Sequence, residues 1–358
     1  MKTFHCDHCG HLLFFENTAC VQCGHQVAYL PDIAMVKSLD FVGDGIWNSS
    51  VPEARPYRLC RNYTDEQICN WAIAATDTHP LCISCRMTRG LPDLSVDGHR
   101  QAWYRLEVAK RRLLFTLLGL SRPLHDLSDD PIPGLTFEFK AAAPGAESVL
   151  TGHSNGVITI NVAEANDVER ERQRTALHEP YRTILGHMRH EVGHYYWDRL
   201  IGQSTEIGRF RELFGDERQG YGVALRTHYE QGPPSDWPAR FVSAYAASHP
   251  WEDWAETWAH YLHMVDAVET AAACGVSLRP QRADEPSMPK VSAEVPSRDL
   301  SFRSLIANWL PLTYVLNNFN RGLGLADAYP FVLSPMAISK LKYVHEVVRR
   351  LADEAESR

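Results

Sequence analysis

Residues 183–201 read TILGHMRHEVGHYYWDRLI, a run whose pattern is typical of a helix. His190 and His194 are four residues apart, so on a helix both imidazoles lie on one face and can bind one metal ion. Glu191 follows the first histidine and would hold its carboxylate beside a metal-bound water, as a general base does. Zinc held by three protein groups keeps a position for that water and lowers its pKa to about 7. The stretch therefore predicts zinc-dependent hydrolysis of an amide bond.

Two histidines on a helix can also be ordinary core or surface residues. In that interpretation Gly193 weakens the helix by about 1 kcal/mol relative to alanine, and the interpretation gives no reason for a glycine at this position. A third ligand elsewhere in the chain is needed to decide between the two interpretations.

The composition is that of a soluble globular protein of two or three domains: 358 residues, 44% hydrophobic and 22% charged. The sequence has no apolar run of membrane-spanning length and no signal-peptide core before the first cysteine motif, which predicts a cytoplasmic protein without a membrane partner. The net charge of -8 argues against a broad surface for nucleic acid. The predicted partner is a protein or peptide substrate, and the sequence leaves the oligomeric state open.

Eight of the nine cysteines lie in the first 85 residues, which favours zinc over disulfides in a cytoplasmic protein. Two Cys-x2-Cys pairs, separated by ten residues, predict a structural zinc ribbon with the ligands Cys6, Cys9, Cys20 and Cys23. One regular and one stretched pair predict a second structural zinc with the ligands Cys60, Cys69, Cys82 and Cys85. The alternative at either group is four reduced thiols without a metal.

The rest of the chain predicts more helix than strand. Strands are expected at 135–140 and 156–162, where β-branched and alternating residues occur. Helices are expected at 300–319 and 335–351, after a proline-rich linker at 279–298. Together with the two cysteine groups, this pattern predicts an α+β protein with a small sheet and a mainly helical core.

A further helix is indicated around residues 245–261, with Pro250 suited to its first position. Glu252 in the first turn can be explained by the helix dipole alone. Glu256 cannot, and it lies four residues from Glu252 on the same face, where like charges repel. A metal ion with its histidine ligands would compensate that repulsion. Either glutamate can reach such a metal, so the spacing leaves the choice of third ligand open.

A His-Glu-x-x-His motif followed on a later helix by Glu-x-x-x-(Asp/Glu) resembles the gluzincin metallopeptidases. The segment Glu252-Asp-Trp-Ala-Glu256 resembles that of the lethal-factor-like branch, which carries a tyrosine seven residues before its ligand glutamate, where Tyr245 stands here. The resemblance implies that Glu252 is the third zinc ligand, that Glu256 orients a ligand histidine and that Tyr245 stabilises the oxyanion. The whole chain is similar to a bacterial family of zinc-binding metallopeptidases with N-terminal zinc ribbons.

These interpretations combine into one organisation: a four-cysteine ribbon at 1–30, a second four-cysteine module at 31–95, a zincin-type core at 96–275, and a linker with C-terminal helices at 276–358. The predicted protein is a zinc metallopeptidase with one catalytic and two structural zinc ions. The alternative is a zinc-ribbon adaptor that binds protein or nucleic acid and keeps the zincin-like fold without catalysis.

Overall fold

The computed structural model describes residues 2–51, 55–120, 134–142, 149–177, 179–278, 291–292 and 301–356. The chain forms two compact units, one made of residues 2–152 and 156–167 and the other of residues 153–155 and 168–358. The predicted linker at 279–298 lies outside the described residues except at 291–292.

The first unit begins with short antiparallel strands that surround the cysteines. The hairpin β1–β2 forms a separate two-stranded sheet. The strands β3 to β7 form an antiparallel five-stranded sheet in chain order, in which Val27 pairs with Ser38 and Tyr57 pairs with Ala74. The strands of this region are β1 (Phe4–His5), β2 (Leu12–Leu13), β3 (Val27–Leu30), β4 (Met35–Gly43), β5 (Ile46–Ser49), β6 (Tyr57–Leu59) and β7 (Ala72–Ala74).

A second, parallel arrangement follows in the same unit. β9 pairs in parallel with both β8 and β11, and its inward side chains Phe137 and Phe139 are fully buried, as period-two alternation requires. The expected strands at 135–140 and 156–162 are confirmed within one residue. The elements are α1 (Arg61–Thr64), α2 (Ile83–Arg86), β8 (Thr88–Gly90), α3 (His99–Leu120), β9 (Thr136–Lys140) and β11 (Val157–Asn161), with β10 (Gly152–Ser154) at the point where the chain passes into the second unit.

Phe115 of helix α3 completes an aromatic core in this unit. Phe115 packs edge-on against Phe15 and Tyr29, with ring centroids 5.3 and 5.8 Å away, and against Phe4 at 6.5 Å. Edge-to-face contacts at these distances are favourable beyond the area that they bury. The helix therefore belongs to the core of the cysteine-bearing region.

The second unit is mainly helical. Helix α5 begins where Thr183 accepts a hydrogen bond from the Gly186 amide at 2.9 Å, and α9 begins with Pro250 at its first position after the cap residue His249. The predicted helices at 300–319 and 335–351 are confirmed. The elements are α4 (Asp167–Ala176), α5 (Ile184–Leu200), α6 (Ile207–Phe214), α7 (Tyr221–Gln231), α8 (Trp237–Arg240), α9 (Pro250–Ala273), β12 (Ser277–Leu278), β13 (Val291–Ser292), α10 (Phe302–Gly322) and α11 (Pro335–Glu356).

Helices α5 and α9 approach each other most closely at Gly193. A Cβ atom placed on this residue would lie 3.0 Å from the Ala255 Cα and 3.2 Å from the Trp258 Cβ, closer than an ordinary contact. The buried Trp254 indole donates a hydrogen bond to the Gly193 carbonyl at 2.8 Å across the same interface. The glycine thus has a packing reason, because only it allows the two helices to lie this close.

The described residues make a mixed helix and sheet fold with an N-terminal four-cysteine, zinc-ribbon-like region. None of their helices has the length and apolar character needed to cross a membrane.

Candidate metal centres

The cysteines of the first cluster meet in the geometry of a tetrahedral metal site. The Sγ atoms of Cys6 and Cys23 are 3.7 Å apart, and those of Cys9 and Cys20 are 3.6 Å apart. Zinc–sulfur bonds of about 2.3 Å give tetrahedral edges of about 3.8 Å, whereas a disulfide would need about 2.0 Å. All four thiols are free, so the cluster fits a zinc ion.

Two tight turns present these thiols. The Gly10 and Gly24 amides donate to the carbonyls of Cys6 and Cys20, both at 2.8 Å, and both glycines have φ near +75°. A left-handed conformation at this point favours glycine over other residues. The turns leave Cys9 and Cys23 exposed while Cys6 and Cys20 are buried.

The second cluster is fully buried. Cys69 and Cys82 are 3.7 Å apart at sulfur, and the four thiols Cys60, Cys69, Cys82 and Cys85 lie within bonding range of a single ion. Arg111 of α3 is 2% exposed nearby. Burial lowers the pKa of its guanidinium, but the charges of Cys69 and Glu107 outweigh burial and raise it above the usual value. The buried arginine thus offsets the negative charge of a thiolate cluster.

A third cluster joins the helices α5 and α9. The Nε2 atoms of His190 and His194 are 3.1 Å apart, and Glu252 Oε2 lies 2.9 Å from the first and 3.5 Å from the second. Zinc with nitrogen and oxygen donors at about 2.0 to 2.1 Å has tetrahedral edges of about 3.3 Å. The three atoms therefore have the spacing of three corners of one metal site.

Hydrogen bonds around His190 fix the proton on its ring. Glu256 Oε1 lies 2.7 Å from His190 Nδ1, which must donate because an ionised carboxylate can only accept. Ser243 donates to the other oxygen of Glu256 at 2.6 Å. With its proton on Nδ1, His190 turns the lone pair of Nε2 towards His194 and Glu252, which is the tautomer that a metal ligand needs.

Glu252 is buried, and its two oxygens have different surroundings. The Tyr221 hydroxyl donates to Oε1 at 2.6 Å, whereas no donor from the described residues bonds Oε2, which faces the two imidazoles. A buried carboxylate oxygen without a donor is costly. A cation at this point would satisfy it, so the donor set fits a zinc ion.

Two aromatic rings, Tyr245 and Trp251, lie beside the histidines of this cluster. The ring centroids of Tyr245 and His190 are 5.9 Å apart. Burial, and secondly the charge of Glu252, raise the pKa of the Tyr245 phenol well above its usual value. The phenol therefore stays protonated at neutral pH and can donate a hydrogen bond. Glu191 is 8% exposed. The Trp251 ring lies 3.8 Å from that of His194. Sequence reasoning missed Tyr221, Ser243 and Trp251, since no spacing rule links them to the histidine motif.

Comparisons with known proteins match both parts of the chain. The family model described as "Putative zinc-binding metallo-peptidase" matches residues 99–347, and a zinc-ribbon domain model matches residues 3–96. The chain belongs to this metallopeptidase family. It is 42% identical over 357 residues to uncharacterized proteins of Mycobacterium bovis and Mycobacterium tuberculosis, with 99% of this chain and 98% of each relative covered. No solved structure matches the chain.

Membership of the zinc-binding metallopeptidase family agrees with the donor chemistry of the clusters. Four-thiolate sets are characteristic of structural zinc sites, which leave no position for a substrate. The family's description indicates peptide hydrolysis, with proteins or peptides as the substrates.

Proposed function

We propose that this metallopeptidase hydrolyses peptide bonds at the cluster of His190, His194 and Glu252, in the manner of a gluzincin of the lethal-factor-like branch. The observation that carries the proposal is the convergence of two imidazole Nε2 atoms and one carboxylate oxygen within 3.5 Å of one another. Two histidines and one glutamate form a donor set of catalytic zinc, which keeps an open fourth position.

A zinc ion held there would polarise a carbonyl group and lower the pKa of water. Glu191 then accepts a proton from the attacking water and passes it to the amine that leaves. Tyr245 donates a hydrogen bond to the carbonyl oxygen as negative charge develops on it. Glu256 keeps the proton of His190 on Nδ1 throughout.

We assign a structural role to the two four-cysteine clusters, which brings the proposed count to three zinc ions per chain. Their closed donor sets leave no room for a water or a substrate carbonyl. The residues of the proposed site all fall in the predicted core at 96–275, and the cysteines fall in the predicted modules at 1–30 and 31–95.

The test combines zinc content with cleavage of a peptide library, measured for Glu191→Gln and for the control Glu212→Gln, whose side chain is exposed on α6. We expect the Glu191 variant to keep three zinc ions and to lose activity by a factor of about 10² to 10⁴, the usual contribution of a general base. The control should cleave like the wild type. Unchanged turnover in Glu191→Gln would remove the proposed base.

Zinc content also separates the peptidase from the adaptor. We expect His190→Ala and His194→Ala each to lose one of three zinc ions while the two cysteine clusters keep theirs. A wild-type chain that holds two zinc ions and cleaves no peptide, and whose zinc content is unchanged by either substitution, would support the adaptor.

A further inference from the structure

Tyr221 reaches the proposed metal ligand from a separate part of the chain. It is the first residue of α7, 31 positions before Glu252, and its hydroxyl lies 2.6 Å from Glu252 Oε1. An ionised carboxylate can only accept, so the phenol donates. The distance is that of a charge-assisted O–H···O⁻ bond, the stronger class of hydrogen bond.

Because of this contact, the two carboxylate oxygens of Glu252 have different partners. Oε1 accepts from Tyr221, while Oε2 faces His190 Nε2 at 2.9 Å and His194 Nε2 at 3.5 Å. If Oε1 were free, the carboxylate could rotate and offer both oxygens to the same ion. The second oxygen would then bind in addition to the water at the fourth position and would raise the coordination number from four to five.

We propose that Tyr221 is a positioning residue that holds Glu252 as a one-oxygen ligand and so keeps the metal four-coordinate, with water as its fourth ligand. The inference rests on the proposed function, because it needs a metal at the histidine cluster. Tyr221 acts through Glu252 and is assigned no contact with the substrate.

The start of α7 is tied to the start of α9, which carries Glu252. The Tyr221 ring packs edge-on against His249 and Trp251, with centroids 5.2 and 5.6 Å away. His249 donates from Nε2 to the Gln219 carbonyl at 3.2 Å and accepts the Trp251 amide at Nδ1 at 3.1 Å. The phenol is thus anchored beside the carboxylate that it holds.

Removing the hydroxyl is expected to leave the fold intact. Tyr221 is 38% exposed, and α7 has no buried residue. Tyr221→Phe keeps both ring contacts and deletes only the donor. Tyr314→Phe makes the same chemical change on α10 at a residue that is 60% exposed, and it serves as the matched control.

The experiment uses the full chain with zinc in the cysteine clusters and Co²⁺ added to the histidine cluster after a chelator has emptied it. Visible absorption of Co²⁺ distinguishes four-coordinate from five-coordinate ions. We expect four-coordinate bands from the wild type and from Tyr314→Phe, and weaker five-coordinate bands from Tyr221→Phe. Chelator competition should also show a metal affinity that is about 10 to 100 times lower, the usual effect of losing such a partner.

The spectrum decides the inference. A Tyr221→Phe spectrum identical to that of the wild type overturns the role of Tyr221, whatever the affinity does, and leaves the proposed peptidase standing. A wild-type chain that takes up no Co²⁺ at the histidine cluster overturns the proposed function and this inference with it.

Discussion

Replacing Gly193 by alanine tests whether close helix packing positions the histidines. The new Cβ would lie 3.0 Å from the Ala255 Cα and 3.3 Å from the Ala255 carbonyl oxygen, and these backbone atoms cannot rotate away. Overpacking of this kind costs about 1 to 3 kcal/mol, while alanine gains about 1 kcal/mol of helix propensity over glycine. We therefore expect a net loss of about 1 kcal/mol in the free energy of unfolding.

The control is Gly208→Ala on α6, where a new Cβ meets no atom of the described residues within 4 Å. This variant keeps the helix gain without the clash, so it should be stabilised by at most about 1 kcal/mol. Thermal unfolding measured side by side should show opposite shifts. Chelator competition should show weaker metal binding for Gly193→Ala alone, because α5 moves away from Glu252. Equal stabilisation of both variants would refute the packing argument.

Two further predictions concern buried charge. Arg111→Met removes a buried positive charge that pairs with Glu107 and interacts with the charges of the buried cysteine cluster. Losing one partner of a buried pair costs about 3 to 5 kcal/mol, so this cluster should lose zinc faster while the cluster of Cys6 does not. Chelator kinetics with selective thiol labelling measure both rates, and equal rates for variant and wild type would count against the prediction. Burial lowers the pKa of His260 to about 4, so the folded state resists its protonation. The stability that its neutral form provides is complete above about pH 6.5 and is lost as the pH falls towards 4. Between pH 7 and 4.5 the wild type should lose about 2 kcal/mol more than His260→Gln in urea unfolding, and parallel losses would contradict this.

The sequence predicts which side chains lie together when spacing along the chain fixes their geometry. A Cys-x2-Cys turn can place two thiols on one ion wherever it occurs, and two histidines four apart share a helix face in any context. The choice between Glu252 and Glu256 needed more than spacing, because both lie on one face of α9. In the structure Glu252 faces the Nε2 atoms, and Glu256 lies on the Nδ1 side of His190.

Contacts between residues that are far apart in the sequence could not be predicted from spacing. Tyr221 lies on its own short helix, and Ser243 precedes α9 in a segment with no motif, so nothing in the sequence connects either to a glutamate of that helix. The five-stranded sheet within residues 27–74 was also missed. Four of its strands have only three or four residues and no clear alternation, so tertiary pairing rather than local pattern determines them.

The aromatic packing of α3 shows that the start of the metallopeptidase family model is not the start of an independent folding unit. The metallopeptidase family model begins at residue 99, yet Phe115 of that helix is buried against Phe4, Phe15 and Tyr29 from the ribbon region. A truncated protein that starts at residue 99 would expose the Phe115 ring to solvent, which favours aggregation. The region that the metallopeptidase family model matches should therefore be expressed together with the ribbon region, or with Phe115 first replaced by a polar residue.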